Sequence, residues 1–138
     1  MFRTPHTVRF ADVDFARVVY YPRYFHAFHV AFEEFWSREA GRPYSVVVAE
    51  DRIGFPTVHI ESDFKKAVTY GDPVDILVGV KRFGNRSIVF RYEVENRETG
   101  ETCATADITK AVVDIETFKT CALPQHLREA LDTIAIPG

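Results

Sequence analysis

The sequence predicts an α+β protein in which one long, buried helix packs against a curved antiparallel sheet of about five strands. Two observations predict this architecture. A single long segment with apolar residues at helical spacing comes early in the chain, and the later apolar segments alternate with period two and end at short turns. Because short turns join antiparallel strands, the order strand, helix and then four strands excludes a parallel α/β sheet.

The chain begins with a predicted strand at residues 6–11, where apolar and polar residues alternate, followed by a polar loop at 12–17. The long helix is predicted over Pro22–Ala40. Proline suits the first helical turn because its missing N–H has no partner there, and no further glycine or proline interrupts the segment. Gly41 suits the C-cap. A helix of this length, roughly 19 residues, is about 28 Å long.

Aromatic residues dominate the predicted helix. Four phenylalanines recur at spacings of three and four residues, and a tryptophan follows: Phe25, Phe28, Phe32, Phe35 and Trp36. So wide an apolar face is typical of a helix buried against a sheet. The polar residues are then expected to face solvent or a partner subunit: His26, His29, Glu33, Glu34 and Ser37. The histidines lack the His-Glu-x-x-His spacing of a zinc site, so we expect a polar face and no metal.

Four further strands and one short helix follow. The strands are predicted at 58–64, 74–80, 88–94 and 101–115, and the closing helix at 124–133. Turns containing glycine separate the strands at 70–73, 84–85 and 98–100. The chain contains no repeat, no low-complexity tract and no linker, so residues 1–138 are expected to form a single domain.

Composition excludes several classes of protein. The chain has 17 Lys and Arg against 20 Asp and Glu, a formal net charge of −3, which excludes a nucleic-acid binder that relies on bulk positive charge. No apolar run is long enough for a membrane span, and no signal segment opens the chain. Cys103 and Cys121 lack Cys-x-x-Cys spacing, so we expect reduced thiols in the cytoplasm. Glycine-rich nucleotide motifs and the serine-hydrolase motif are missing, so no cofactor is expected.

Asp12 and Asp14 lie in the loop that leads into the long helix. Carboxylates in that place cap a helix and are favoured by its dipole, which is the simpler interpretation. The alternative is catalytic, because free N–H groups at a helix N-terminus hold a developing oxyanion while a nearby carboxylate acts as general base or nucleophile. Asp14 precedes Tyr21 closely enough for both to face one small cleft, and such a pair suits attack on an activated carbonyl.

Basic and polar side chains gather at a predicted hairpin. Four of them flank the Gly84–Asn85 turn: Lys81, Arg82, Asn85 and Arg86. A solvated hairpin end explains them, and so does a small cationic patch for phosphates on an otherwise acidic protein. Lys65 and Lys66 are candidates to extend such a patch.

Residues Val8–Phe25 resemble the opening motif of the hotdog-fold acyl-CoA thioesterases, above all the branch typified by 4-hydroxybenzoyl-CoA thioesterase. The family motif runs Phe, any residue, Asp, any residue, Asp, a small pair, two aliphatic residues, an aromatic pair and then Pro, any residue, Tyr. Here it reads Phe-Ala-Asp-Val-Asp-Phe-Ala-Arg-Val-Val-Tyr-Tyr-Pro-Arg-Tyr. The similarity continues through Gly54-Phe55-Pro56, through Phe64 to Asp72 and into Asn85-Arg86-Ser87, and so covers nearly the whole chain.

The resemblance implies a hotdog fold and a set of site residues. Asp14 matches the catalytic carboxylate, and Tyr21 matches the position whose backbone N–H polarises the thioester carbonyl. Tyr24, the last tyrosine of the motif, is expected to contact substrate. Asn85 and Arg86 match the turn region where the family uses basic groups to hold the CoA nucleotide, and Lys81 and Ser87 beside them are also expected to bind substrate. The family assembles as dimers that often pair into tetramers, so a homodimer or homotetramer with active sites at the dimer interface is expected.

The chain departs from the family in two places. Arg17 stands where the family usually has glycine, and it is expected either to narrow the acyl entrance or to place a cation near the carboxylate. The 4-hydroxybenzoyl branch has three basic residues in a row at the hairpin, where this chain has Gly84-Asn85-Arg86. These differences are expected to affect the acyl specificity and the binding of CoA more than the catalytic step.

The expected activity is hydrolysis of an acyl-CoA thioester with an aromatic or a short-to-medium aliphatic acyl group. Asp14 either attacks the carbonyl or deprotonates the attacking water. The alternatives are a hotdog protein that binds an acyl group on CoA or on an acyl carrier protein without hydrolysing it, a dehydratase, and a homo-oligomeric structural domain without a ligand. Dehydratases of this fold usually pair a histidine with a carboxylate, and no matching histidine motif stands beside Asp14.

Overall fold

A five-stranded antiparallel sheet with strand order β1-β4-β5-β6-β3 forms the main layer of the protein. The computed structural model describes residues Met1–Gly138. The strands of this sheet are β1 (Phe2–Thr7), β3 (Thr57–Phe64), β4 (Pro73–Phe83), β5 (Ser87–Asn96) and β6 (Thr102–Ala111). The long helix α1 (Tyr21–Glu34) packs on one face of this sheet. The predicted α+β arrangement of one long helix on an antiparallel sheet of five strands is confirmed.

The core lies between α1 and the inner face of the sheet. Burial alternates along β5, as the period-two pattern predicted. Phe28 stacks on Tyr92 with ring centroids 5.0 Å apart, and Phe32 meets Phe90 edge-to-face at 5.3 Å. Aromatic pairs in these geometries add about 0.5–1.5 kcal/mol each beyond the burial of their area. Most of the helix phenylalanines are therefore core residues.

The long helix follows its prediction at both ends. It begins at Tyr21 with proline in the first turn, and Gly41 adopts a φ of +67° just beyond its end. Its last turns widen into a π-helix over Phe35–Glu39, in which Phe35 and Trp36 are both fully buried. A π turn holds one more residue than an α turn, and here two neighbouring aromatic side chains enter the core. None of the helices combines the length and apolarity that a bilayer crossing requires.

The prediction for the first strand, residues 6–11, is wrong in its position. The strand is Phe2–Thr7, and Phe10–Asp12 forms a short 3₁₀ turn. The Asp12 carboxylate accepts a hydrogen bond from the Arg9 N–H at 2.8 Å and so closes that turn. A side-chain to backbone bond of this kind competes with continuation of a strand.

The predicted last strand, 101–115, is in fact two strands. β6 ends at Ala111, and β7 (Val113–Asp114) pairs with β2 (Ile53–Gly54) in a separate two-stranded sheet. Pro56 lies between β2 and β3. Its carbonyl accepts the Ala111 N–H at 2.9 Å, but it has no N–H to donate in return, so the hydrogen-bond ladder is interrupted there. The structure adds a short helix α2 (Tyr44–Val46) that continues as a π-helix over Val47–Asp51 and was not predicted. The closing helix α3 (Gln125–Asp132) confirms the prediction at 124–133.

Candidate active site

A short hairpin over residues 12–20 leads directly into α1, and we call it the entry hairpin. At its base the Tyr20 N–H donates to the Asp12 carbonyl at 2.9 Å. Outside it, the Val19 N–H donates to the Val68 carbonyl at 2.8 Å. The first bond closes the entry hairpin immediately before α1, and the second fixes it to the segment that follows β3.

Asp14 occupies the tip of the entry hairpin. The Arg17 N–H donates to the Asp14 carbonyl at 2.9 Å, which closes a four-residue turn. The Ala16 N–H donates to Asp14 Oδ1 at 2.8 Å, and Oδ2 accepts no hydrogen bond from the protein. The side chain is exposed. Asp14 is thus a positioned carboxylate with one oxygen uncommitted, which suits either a base or a nucleophile.

Arg17 adopts a φ of +66°, the left-handed region that favours glycine. A residue with a Cβ pays on the order of 1 kcal/mol to stay in that region. This explains in physical terms why glycine is the usual residue at this place in the turn. The Arg17 side chain is exposed, three residues after Asp14 in the same turn.

Asp12, the other aspartate of the motif, is buried and fully engaged. Its carboxylate accepts hydrogen bonds from the Arg9 N–H at 2.8 Å and from Arg23 Nε at 2.9 Å, and it forms an ion pair with that guanidinium. Burial opposes its ionisation, but these hydrogen bonds outweigh burial and hold the pKa of Asp12 below its usual value. Asp12 therefore has a structural role and not the catalytic role that the sequence left open for the two aspartates.

The first turn of α1 offers a free donor. The Tyr21 N–H has no hydrogen-bond partner in the protein, and the next residue, Pro22, has no N–H. The aligned peptide dipoles of α1 place partial positive charge at this end. A free amide at such a position is the group that stabilises a developing oxyanion.

An open cleft of about 360 Å³ is lined in part by Tyr21, the residue that carries this amide. Its walls come from the entry hairpin, the start of α1 and the end of β3: Val18, Val19, Tyr21, Tyr24, Phe64 and residues 65–67. The Tyr24 ring packs on Phe64 with centroids 5.2 Å apart, and burial raises the pKa of its hydroxyl. The structure therefore brings Tyr21 and Tyr24 together in an aromatic cleft, with Asp14 on the adjoining hairpin.

The residues expected to bind CoA lie elsewhere in the same chain. Lys81 pairs with Asp107 at 2.5 Å. Asn85 and Ser87 line a separate cavity of about 250 Å³ near α3. In the sheet Ser87 pairs with Ala111, the last residue of β6, whereas Phe64 of the cleft pairs with Ala104 near the start of β6. These two positions on β6 are about 23 Å apart. One chain alone does not bring these hairpin residues to Asp14.

Lys110 is a polar residue that the sequence analysis did not single out. It is only 5% exposed, its Nζ donates to the Phe55 carbonyl at 3.4 Å and to Thr57 Oγ1 at 3.3 Å, and it lies 4.8 Å from the centre of the Phe32 ring. Burial lowers the pKa of Lys110 to about 8. The signal was present in the sequence, because this lysine occupies an inward position of an alternating strand.

The histidines of α1 line no metal centre. No group of three His, Cys, Asp or Glu side chains in the structure could hold a metal ion. His29 Nε2 instead lies 3.3 Å from the Glu33 carboxylate, one helical turn away. The polar face of α1 is solvent-exposed at these positions.

Comparison with known sequences places the chain among thioesterases. Residues 8–131 match the family described as the thioesterase-like superfamily. A 1,4-dihydroxy-2-naphthoyl-CoA hydrolase from Picosynechococcus sp. is 30% identical over 122 residues, which are 86% of this chain and 83% of that protein. A hydrolase of the same name from Nostoc punctiforme is 31% identical over 133 residues, 92% of this chain and 84% of that protein.

Solved structures give the same result for the fold. The structure of a thioesterase-superfamily protein from Jannaschia sp. CCS1 superposes with a TM-score of 0.89 at 26% identity, covering 99% of this chain and 94% of that one. The fold expected from the motif resemblance is thereby confirmed.

Proposed function

We propose that this chain, which belongs to the thioesterase-like superfamily, acts through Asp14 and the free amide of Tyr21 on the thioesters of aromatic acyl groups. The reaction type follows from the family relationship. Both relatives described above are named as hydrolases of a CoA thioester, and the chain is accordingly an enzyme that hydrolyses acyl-CoA thioesters. The expected hydrolysis of acyl-CoA thioesters is thereby confirmed.

One observation carries the proposed site: the entry hairpin holds a carboxylate with one uncommitted oxygen and leads directly into the helix turn that has the unpaired Tyr21 amide. The thioester carbonyl oxygen would accept the Tyr21 N–H, which stabilises the negative charge of the tetrahedral intermediate. Asp14 then has two routes. It attacks the carbonyl carbon, expels the CoA thiolate and leaves an acyl anhydride for water to cleave, or it takes a proton from the water that attacks directly.

The aromatic acyl group is supported by the cleft and by the relatives. The walls beside the Tyr21 amide include the rings of Tyr24 and Phe64, which offer flat apolar surfaces for a planar ring. The relatives from Picosynechococcus and Nostoc act on a dihydroxynaphthoyl thioester according to their names. We therefore favour an aryl-CoA over an aliphatic acyl-CoA.

A homodimer is proposed from the free edge of β3. This edge strand exposes three apolar side chains: Val58 at 62%, Ile60 at 40% and Phe64 at 50%. A long edge strand with apolar side chains is a template for pairing with another chain. Antiparallel pairing of two β3 strands about a two-fold axis would continue the sheet across both protomers. Two such dimers could pair further into a tetramer.

This pairing would complete the active site. Within one protomer, Thr57 and the turn at 85–87 lie at one end of the sheet, and Phe64 with the entry hairpin lies at the other. A two-fold axis through β3 exchanges the two ends of the sheet. The end of one protomer that carries the turn at 85–87 therefore meets the end of its partner that carries Asp14. Arg86 is exposed in that region and is the favoured residue for the CoA phosphates, whereas Lys81 is already held by Asp107.

The compartment follows as part of the proposal. Both cysteines carry free thiols, Cys103 buried and Cys121 partly buried. Reduced cysteines and acyl-CoA substrates are both typical of the cytoplasm.

The test is thiol release from aromatic and aliphatic acyl-CoAs, measured for the natural chain and for Asp14→Asn. We expect turnover of aryl-CoAs that falls about a thousandfold in the variant, with an unchanged circular dichroism spectrum. Asp132→Asn, an exposed aspartate of α3, is the matched control and should keep full activity. An undiminished rate in Asp14→Asn would refute the site, and binding of acyl-CoA without thiol release would favour the non-hydrolytic alternative.

A further inference from the structure

Lys110 is a buried cation that the proposed chemistry does not use. Its two polar partners, the Phe55 carbonyl and the Thr57 hydroxyl, are neutral, and both hydrogen bonds are longer than the usual 2.7–3.2 Å. No carboxylate compensates the charge. A buried ammonium without an anionic partner opposes folding, so packing alone does not explain a lysine at this inward position.

The surroundings of Lys110 are aromatic with a polar margin. Its Nζ faces the Phe32 ring of α1, and Tyr44 packs edge-to-face on that same ring at 5.1 Å. His29 lies on the neighbouring exposed turn of α1, with its ring 6.1 Å from that of Tyr44, and it contacts Glu33. The cluster therefore contains one buried cation, the half-buried phenol of Tyr44, and two titratable groups at the surface of α1, His29 and Glu33.

The cluster lies one strand in from the free edge. Lys110 on β6 pairs directly with Thr57 on β3, and Thr57 is exposed at that edge. At the opposite end of the same edge, Phe64 lines the aromatic cleft beside the Tyr21 amide. If two β3 strands pair antiparallel about an axis between Ile60 and Glu61, the middle of the strand, Thr57 of one protomer lies opposite the partner subunit's Phe64. Neighbouring strands are about 4.8 Å apart, so in this pairing the backbones of Lys110 and the partner's Phe64, two strands away, are about 10 Å apart.

We propose that Lys110 of one protomer is a specificity-determining residue that hydrogen-bonds a phenolic oxygen on the aryl group of the acyl-CoA bound at the partner subunit's Tyr21. This inference rests on the proposed function, and it narrows the substrate class to hydroxyaryl thioesters. A hydroxyl or phenolate oxygen supplies the acceptor that the buried ammonium lacks. The thioester carbonyl stays at the amide, and the far side of the ring reaches the lysine across the dimer interface.

The test compares benzoyl-CoA with the 2-, 3- and 4-hydroxybenzoyl-CoA esters on the protein as it assembles in solution. We expect the natural enzyme to favour one hydroxylated ester over benzoyl-CoA in kcat/KM. Lys110→Met should reduce kcat/KM for that ester about tenfold or more, the worth of a hydrogen bond to a charged group, and change benzoyl-CoA by less than about threefold. Lys119→Met, an exposed lysine near β7, is the matched control and should change neither.

Two further measurements keep the outcome unambiguous. Lys110→Arg retains the charge and should recover part of the preference for the hydroxylated ester. Equilibrium binding of the corresponding hydroxybenzoate and of benzoate, measured by calorimetry on the folded variants, should show the same discrimination without turnover. An unchanged preference in Lys110→Met, or an equal loss for both esters, would overturn the role of Lys110 while leaving hydrolysis through Asp14 intact. Rates independent of Asp14 would overturn the proposed function instead.

Discussion

The two ends of α1 hold their charges in opposite ways. At the N-terminal end, Asp14 is exposed and has one uncommitted carboxylate oxygen, while Asp12 is buried and fully paired with Arg23. Near the C-terminal end, Lys110 is buried among aromatic rings with only neutral partners. A structural charge is compensated within the fold. Asp12 meets that description, whereas Asp14 keeps an uncommitted oxygen at the surface and Lys110 is buried without an anionic partner, and for this reason ligand roles are proposed for the latter two.

The largest expected effect separates the two aspartates at the N-terminal end. Asp14→Asn should remove about three orders of magnitude of turnover and leave the free energy of unfolding unchanged, because its side chain supports little of the fold. Asp12→Ala should instead lower the free energy of unfolding by about 2 kcal/mol, because the Arg9 N–H and the Arg23 guanidinium both lose their carboxylate acceptor. Urea denaturation and thiol release on both variants measure the two quantities. Equal stability losses in the two variants would contradict this division of roles.

The second prediction tests whether the two ends meet across a dimer. Ile60→Lys places a charge at the centre of the β3 edge, where an apolar side chain is 40% exposed. Edge-strand lysines oppose strand pairing, so we expect monomers at micromolar concentration and loss of most turnover. Analytical ultracentrifugation measures the mass, and Glu98→Lys on the distant β5–β6 turn is the control. A monomeric natural chain with full activity would contradict a site shared between protomers.

The third prediction concerns the pH dependence caused by Lys110. The pKa of this lysine is lowered to about 8 by burial, so between pH 8 and about 10.4 the unfolded chain binds a proton that the folded chain has released. The unfolding free energy should therefore rise with pH through this window, and the destabilisation, on the order of 3 kcal/mol, is fully present below it. Lys110→Met should be more stable near pH 7 and lack this part of the rise. Denaturation midpoints of both proteins at several pH values measure the difference.

The smallest effect concerns the turn that carries Asp14. Arg17→Gly removes the cost of a left-handed conformation and should raise the free energy of unfolding by up to about 1 kcal/mol. Arg17→Ala keeps that cost and removes only the charged side chain, so it serves as the matched variant. If both variants change acyl-CoA kinetics equally, the side chain matters to substrate. If glycine alone stabilises the protein, the backbone explanation of this position holds.

The spacing of apolar residues in the sequence predicted which segments form helices and strands and which of their faces are buried. The apolar spacing of α1 and the alternation along β5 were sufficient, because each face must be buried wherever the element packs. The boundaries at 6–11 and 101–115 were wrong because they depend on particular partners. The Asp12 carboxylate closes a turn after Thr7, and Pro56 interrupts the ladder between the pair β3–β6 and the pair β2–β7.

The sequence by itself determined the reaction type and the candidates Asp14 and Tyr21, because the motif that carries them is contiguous and its hairpin folds through short-range hydrogen bonds. Only the tertiary structure showed that Asp12, and not Asp14, forms the ion pair with Arg23. It also revealed that Lys110 is buried and that the hairpin residues 85–87 lie at the far end of the sheet from Asp14. Burial and distance are set by contacts between segments far apart in the chain, and no local pattern records them.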